Sequence, residues 1–99
     1  MPRYISLLNW TQQGIQKVKE SPARLDGAKK VFKSMGAEIK EFFLVTGQYD
    51  LVIIAEAPDD EAIAKAILAI ASKGNIKSQT FRAFTEKEYR KIIASLPVK

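Results

Sequence analysis

Residues 43–60 read FLVTGQYDLVIIAEAPDD, two apolar runs separated by the short polar segment at residues 47–50. The second run, residues 51–55, is apolar at every position, whereas a strand with one wet face alternates apolar and polar residues. A strand that is apolar on both faces is buried on both faces. This stretch therefore predicts a β-hairpin whose second strand needs cover on both of its sides.

Strand and helix signals on either side of this hairpin define the remaining elements. Thr11 is predicted to cap a short helical turn, and Ser21 with Pro22 is predicted to form the N-cap and first position of a longer helix. Asp59 is the predicted cap of the next helix, and Thr85 opens a capping box for the last one. The predicted strands are residues 3–9, 37–46, 51–55 and 76–84, and the predicted helices are residues 21–35, 61–72 and a last helix that starts at residue 85 and stops at Pro97.

Alternation within the second strand assigns its apolar side chains to two faces. Successive side chains of a strand point to opposite sides of the sheet. The spacing therefore predicts one face with Ile39, Phe43 and Val45 and the opposite face with Phe42 and Leu44.

The order of elements, βαββαβ followed by a terminal helix, is that of a ferredoxin-like α+β fold. Right-handed crossovers place both main helices on one face of a four-stranded antiparallel sheet. The other face then has no cover from the chain itself, although the third strand is apolar on both sides. A second copy of the same sheet would supply the cover, which predicts a dimeric α/β barrel. Residues 1–99 are short enough to form a single domain.

The composition excludes several kinds of site. The chain has no cysteine and no histidine, which removes disulfides, thiol nucleophiles, Cys/His zinc sites and histidine-based triads. Its carboxylates show no metal-ligand spacing, so no metal and no cofactor is predicted. No segment reaches the roughly 18 apolar residues of a membrane span, and the absence of cysteine is typical of the cytoplasm. We therefore expect a cytoplasmic protein without a membrane partner.

The net charge of +5 raises the hypothesis of nucleic-acid binding. The lysines are, however, spread along the chain and mixed with acidic residues, which leaves the local field weak. Lys29, Lys30, Lys33 and Lys40 are therefore predicted to be exposed to solvent without forming a phosphate site, and nucleic acid is not expected as a partner.

Three segments of the chain are similar to those of a known family. They are the Gly47-Gln48-Tyr49-Asp50 turn with the run that follows it, the opening residues 4–15, and the closing residues 82–85. On these segments the chain resembles the GYD family, small bacterial and archaeal proteins named for a Gly-x-Tyr-Asp turn. The resemblance covers nearly the whole chain and implies a dimeric α/β barrel of ferredoxin-like fold. It implies no particular activity, since the family has no settled biochemical function.

Candidate binding residues gather at the predicted ends of the first and third strands. Gly47 suits a tight turn because glycine permits a positive φ. Tyr49 and Asp50 have a structural interpretation, a ring over the sheet end and a carboxylate that accepts backbone hydrogen bonds. They also have a functional one, a phenol and a carboxylate that orient a polar ligand or move a proton. Strand three lies beside strand one in this topology, so Asp50 is predicted to accept hydrogen bonds near residues 8–11.

Further candidates lie at the exit of strand one and on strand four. Asn9, Trp10 and Thr11 form either a polar rim with an aromatic wall or a simple strand exit with a helix cap. Arg82 is interpreted as an ion-pair partner for an acid such as Glu56 in preference to an anion clamp.

Three hypotheses for function follow from these residues. The leading one is a non-enzymatic oligomer that binds a small molecule at or near the subunit interface. The alternative is a small enzyme without cofactor that uses Tyr49, Asp50 and Arg82, and the third is a binder of nucleic acid. A polar cavity on the open sheet face would favour ligand binding or catalysis, and an apolar face would favour a structural role.

Overall fold

Four antiparallel strands with helices on one face make up the computed structural model, which describes residues 1–97. The elements are β1 (Arg3–Trp10), α1 (Gln12–Gln16), a 3-10 helix (Val18–Glu20), α2 (Ser21–Ser34), β2 (Glu38–Leu44), β3 (Leu51–Glu56), α3 (Asp60–Ala71), β4 (Ile76–Ala83) and α4 (Glu86–Ala94). The strand order is β2-β3-β1-β4, so the predicted ferredoxin-like α+β fold is confirmed. The sheet of the single chain is open and does not close into a barrel.

The core lies between the sheet and the long helices α2 and α3. Leu8 from β1, Ile53 from β3, Phe32 from α2 and Ile63 from α3 are all buried there. These residues fall on the helix-facing parity of each strand and on one stripe of each helix, as burial against a single sheet face requires.

The helix starts follow local capping chemistry. Asp59 accepts a hydrogen bond from the Ala62 backbone N–H at 2.8 Å, and Thr85 and Glu88 form both hydrogen bonds of the capping box, as predicted. The prediction that Ser21 is an N-cap is wrong. The 3-10 helix Val18–Glu20 leads directly into α2, so Ser21 already has helical φ and ψ of −55° and −43°.

A β-bulge in β2 changes which side chains face the core. Ile39 pairs with Ala55 and Phe42 pairs with Ile53, and the register shifts between these two pairs. Because one extra residue occupies that interval, Ile39 and Phe42 share the helix-facing side. The prediction that Ile39 shares a face with Phe43 is therefore wrong, since uninterrupted alternation does not hold across a bulge.

The second face of the sheet, which we call the open face, is not covered by any element within residues 1–97. Cross-strand pairing places a patch of apolar side chains on it. The members are Ile5, Leu7, Phe43, Val52, Ile54 and Phe81. Phe43 and Phe81 retain 48% and 49% of their accessible surface. This patch is therefore the surface to which the prediction of a further cover applies.

Helix α4 extends away from the sheet and makes few contacts with the other elements. Its apolar side chains Tyr89, Ile92 and Ile93 are exposed, and the molecule is 55 Å long on its longest axis. An ion pair of 3.7 Å between Arg82 and Glu88 connects the helix to β4. The chain thus presents a second apolar surface, separate from the open face.

The surface lysines Lys29, Lys30, Lys33 and Lys40 are exposed, as predicted, and Lys40 lies 3.5 Å from Glu38.

None of the helices described within residues 1–97 combines the length and the apolar character that crossing a bilayer requires.

Candidate functional site

The Asp50 carboxylate joins the start of β3 to the exit of β1. Its Oδ2 accepts hydrogen bonds from the Trp10 backbone N–H at 3.0 Å and from Asn9 Nδ2 at 3.3 Å. The Asp50 backbone N–H donates to the Leu8 carbonyl at 2.9 Å, which extends the β1–β3 ladder by one step. The predicted contact between Asp50 and residues 8–11 is confirmed. The donors to the Asp50 carboxylate are the Trp10 backbone N–H and the Asn9 side-chain amide.

The turn itself is held by Asn9 and Tyr49. Asn9 Nδ2 also donates to the Gln48 carbonyl at 3.0 Å, which ties the turn to β1. Tyr49 reaches across the open face, where its hydroxyl donates to Gln79 Oε1 of β4 at 2.9 Å. Gly47 has a φ of +157°, a value that residues with a side chain rarely adopt. These groups form a polar margin at one end of the apolar open face.

Thr11 belongs to a different contact, between the exit of β1 and the loop before β4. Its Oγ1 donates to the Gly74 carbonyl at 2.6 Å and accepts from the Gly14 backbone N–H at 3.0 Å. Its backbone N–H donates to the Asn75 carbonyl at 3.0 Å. A Cβ on Gly14 would lie 2.0 Å from the Asn75 oxygen. Thr11 therefore caps the short helix α1 and connects the exit of β1 to the loop before β4. It is not part of the polar margin of the open face.

Arg82 lies away from the turn and on the other face of the sheet. It pairs with Tyr4 in the β1–β4 register, four residues from Leu8 along β1, and its guanidinium lies 4.4 Å from the Phe84 ring centroid. Its acidic partner is Glu88, while Glu56 pairs with Arg3 at 3.3 Å. The prediction that Arg82 forms an ion pair with an acid is confirmed, but Glu56 is the wrong acid, because the parity of β4 directs Arg82 to the helix side.

Tyr4 and Asp60 form a short contact that the sequence analysis missed. The Tyr4 hydroxyl donates to Asp60 Oδ1 at 2.5 Å. Burial of the phenol, and secondly its hydrogen bond to Asp60, raises the pKa of Tyr4 from 10.0 to about 12. Tyr4 falls on the core parity of β1, and Asp60 begins α3. The sequence did contain a signal for this contact. Tyr4 lies at a core-facing position of β1, and a buried hydroxyl needs a hydrogen-bond partner.

Glu88 gains its acidity from the helix start. Its carboxylate accepts a hydrogen bond from the Thr85 backbone N–H at 2.9 Å. That bond, together with the Thr85 hydroxyl and the nearby Arg82, keeps the pKa of Glu88 below its usual value. The ionised Glu88 therefore serves both the cap of α4 and the ion pair to β4.

The polar side chains of the candidate site act as donors and acceptors in hydrogen bonds within the fold. Throughout residues 1–97, no buried side-chain nitrogen or oxygen lacks a partner. Within the same range, no cluster of three or more acidic side chains has an arrangement that could hold a metal ion. The structure brings Asn9, Tyr49 and Asp50 together with the backbone of Trp10, and it separates them from Thr11 and Arg82.

The element order and the one-sided helices define the class of the protein as ferredoxin-like α+β. More specifically, the chain belongs to the GYD domain family, whose model matches residues 4–93. The matched range includes the Gly47 to Asp50 turn described above.

A relative in Thermus thermophilus is 31% identical over 84 residues, which cover 84% of this chain and 88% of the relative. That protein is named "Glutamine synthetase and cystathionine beta-lyase binding protein".

Solved structures of lower sequence identity share the fold. A feast or famine regulatory protein of M. tuberculosis, complexed with L-methionine, superposes with a TM-score of 0.65 at 12% identity, over 86% of this chain and 51% of that one. An ACT domain protein of Streptococcus pneumoniae gives a TM-score of 0.52 at 16% identity, over 84% of this chain and 90% of that one. This chain spans about half the length of the mycobacterial regulators that it matches.

Replacement of Asp50 tests its role in joining β1 to β3. We expect Asp50→Asn to lower the free energy of unfolding by about 1–3 kcal/mol, because the charge-assisted hydrogen bonds from Trp10 and Asn9 are weakened. Urea unfolding followed by circular dichroism measures the change. Asp26→Asn, at an exposed position of α2, is the matched control. Equal stability of the two variants would contradict a structural role for the Asp50 carboxylate.

The raised pKa of Tyr4 predicts a loss of stability at high pH. The unfolded chain has a Tyr4 pKa near 10.0 and the folded chain one of about 12, so the stability from neutral Tyr4 is present below pH 10 and is lost as the pH rises through 12. Tyrosinate absorbance should show a late step near the higher pKa. Tyr4→Phe should remove this step, whereas Tyr89→Phe, at an exposed position, should keep it. Persistence of the step in Tyr4→Phe would refute the assignment.

Proposed function

We propose that the protein is a homodimeric binding module in which the open faces of two sheets pack against each other. The observation that carries this proposal is the uncovered apolar patch on the open face. Removal of apolar surface from water is the main favourable term in most protein association. The patch occupies both central strands, which supports burial by an equally flat surface such as a second sheet.

The arrangement of the patch supports a self-complementary contact. The register aligns Phe43, Val52, Leu7 and Gln79 in one row across the sheet and Glu41, Ile54, Ile5 and Phe81 in the next. Apolar side chains occupy the two central strands of both rows, and polar side chains stand at alternate edges. Stable interfaces commonly have such an apolar centre with a polar rim. Two copies of this sheet would form the dimeric α/β barrel.

A small-molecule site would lie at the polar margin of that contact. Asn9, Tyr49 and Gln79 stand at the end of the open face where the apolar rows stop. Asp50 and Gly47 hold the conformation of the turn. Trp10, Thr11 and Arg82 take part in other contacts. The apolar character of the rest of the face supports a mainly structural role for it. We therefore place the candidate ligand contacts at Asn9 and Tyr49.

The alternative of an enzyme that uses Tyr49, Asp50 and Arg82 has less support. Arg82 lies on the opposite face of the sheet and is engaged with Glu88 and Phe84. A catalytic group must come within hydrogen-bond reach of the reacting atoms. Nucleic-acid binding is also less favoured, since the exposed lysines are interspersed with acidic side chains. A cytoplasmic location stays a prediction.

A second candidate function is the binding of metabolic enzymes, which the name of the Thermus relative favours. If the open faces pair, the surface left for a protein partner includes the projecting helix α4. Its exposed Tyr89, Ile92 and Ile93 form the apolar side of an amphipathic helix, a common mode of protein recognition.

The assembly is tested by the mass of the protein in solution. We expect light scattering at micromolar concentration to give twice the chain mass for the wild type. Phe81→Glu should give the single-chain mass, because it places a charge inside the apolar contact. Leu68→Glu, an equally drastic change at an exposed position of α3, should leave the dimer intact. A wild-type monomer would overturn the proposed dimer.

Enzyme binding is tested with the protein immobilised. Glutamine synthetase and cystathionine β-lyase from the same organism should be retained by the wild type and by Leu68→Lys. Ile93→Lys should retain less, because it removes apolar surface from the exposed side of α4 and adds charge. Equal retention by the two variants would count against α4 as the binding surface.

A further inference from the structure

A cavity of about 390 Å³ lies between the long helices and the helix-facing side of the sheet. Its walls are mostly apolar and include Leu8 and Ile53 from the sheet, Val31 and Phe32 from α2, and Ile70 from α3. Protein interiors rarely leave voids larger than a water molecule, and this volume falls within the range of small-molecule pockets. The cavity is on the opposite side of the sheet from the open face, so it does not depend on the proposed dimer.

A glycine in the middle of α2 helps to keep the cavity open. Gly27 lines the cavity, and a Cβ built on it would meet no atom within 4 Å. Glycine is disfavoured inside helices relative to alanine, and the φ of Gly27 lies in the normal negative range. Neither backbone conformation nor close packing requires glycine here. Its local consequence is open space next to the apolar walls.

Cationic side chains line the opening of the cavity. Arg24 and Lys73 are among the lining residues, together with one acid, Glu20. Lys73 and Glu20 are exposed and Arg24 is partly exposed, which places these charged groups at the mouth. Arg24 Nη2 donates to the Gly14 carbonyl at 3.0 Å. This bond positions the guanidinium and uses only one of its N–H groups. Among the ion pairs described for residues 1–97, none involves Arg24 or Lys73.

We propose that this cavity binds a medium-chain carboxylate, with the hydrocarbon tail among the apolar walls and the carboxylate at Arg24 and Lys73. The apolar interior favours a tail without polar groups. The mouth carries a net charge of one positive unit from two cations and one acid, which favours an anionic head group. Guanidinium and carboxylate also match in geometry through paired hydrogen bonds. A nucleotide would leave its polar groups unpaired against these walls.

Titration calorimetry with sodium decanoate, below its micelle concentration, tests the proposal. We expect saturable binding of one decanoate per chain, and weaker binding of decanol, which has the tail without the charge. Gly27→Leu should abolish binding, because leucine fills the space beside Gly27 while remaining a good helix former. Lys73→Gln should weaken decanoate binding about fivefold, and Lys77→Gln, the same change on the open face, should leave it unaltered.

Two controls separate loss of binding from loss of fold. Thermal unfolding of Gly27→Leu should match or exceed that of the wild type, and Lys73→Gln alters no side-chain hydrogen bond described above. Absence of saturable decanoate binding to the wild type would overturn the proposal. Equal affinity of the wild type for decanol and decanoate would do the same, and so would equal affinity of Lys73→Gln and Lys77→Gln for decanoate.

Discussion

The double-sided burial of β3 is the constraint on which the rest of the structure depends. Leu51, Ile53 and Ala55 point toward the helices and are buried, while Val52 and Ile54 point toward the open face. One side is covered by α2 and α3 within the chain. The other side has no cover from residues 1–97, and this supports the proposed pairing of two sheets, since a strand that is apolar on both faces is buried on both faces.

The Asp50 carboxylate sets where that strand begins. By accepting hydrogen bonds from the Trp10 backbone N–H and from Asn9, it fixes the first residue of β3 against the last residues of β1. The register of the central pair then places Val52 beside Leu7 and Ile54 beside Ile5. The Gly47 to Asp50 turn therefore has a structural role in the alignment of the two central strands.

The sequence predicted the parts of this molecule that depend on local pattern and failed where distant residues decide. Strand order, the Thr11, Asp59 and Thr85 caps and the contact of Asp50 with β1 all followed from periodicity, capping chemistry and topology. The faces of β2 and the partner of Arg82 did not, because a bulge and the position of α4 are set by tertiary packing. The Tyr4–Asp60 contact and the helix-side cavity depend in the same way on how α3 settles against the sheet.

The bulge in β2 has a consequence for the edges of the sheet. β2 is an outer strand of the order β2-β3-β1-β4, and an outer strand offers unpaired backbone groups to any other strand it meets. The irregular backbone between Ile39 and Glu41, with exposed Glu38 and Lys40 beside it, interrupts the regular hydrogen-bonding edge. Charge and irregularity of this kind discourage edge-to-edge pairing and the growth of extended sheets. The apolar sheet face thus stands beside an edge whose charge and bulge disfavour pairing with a further strand.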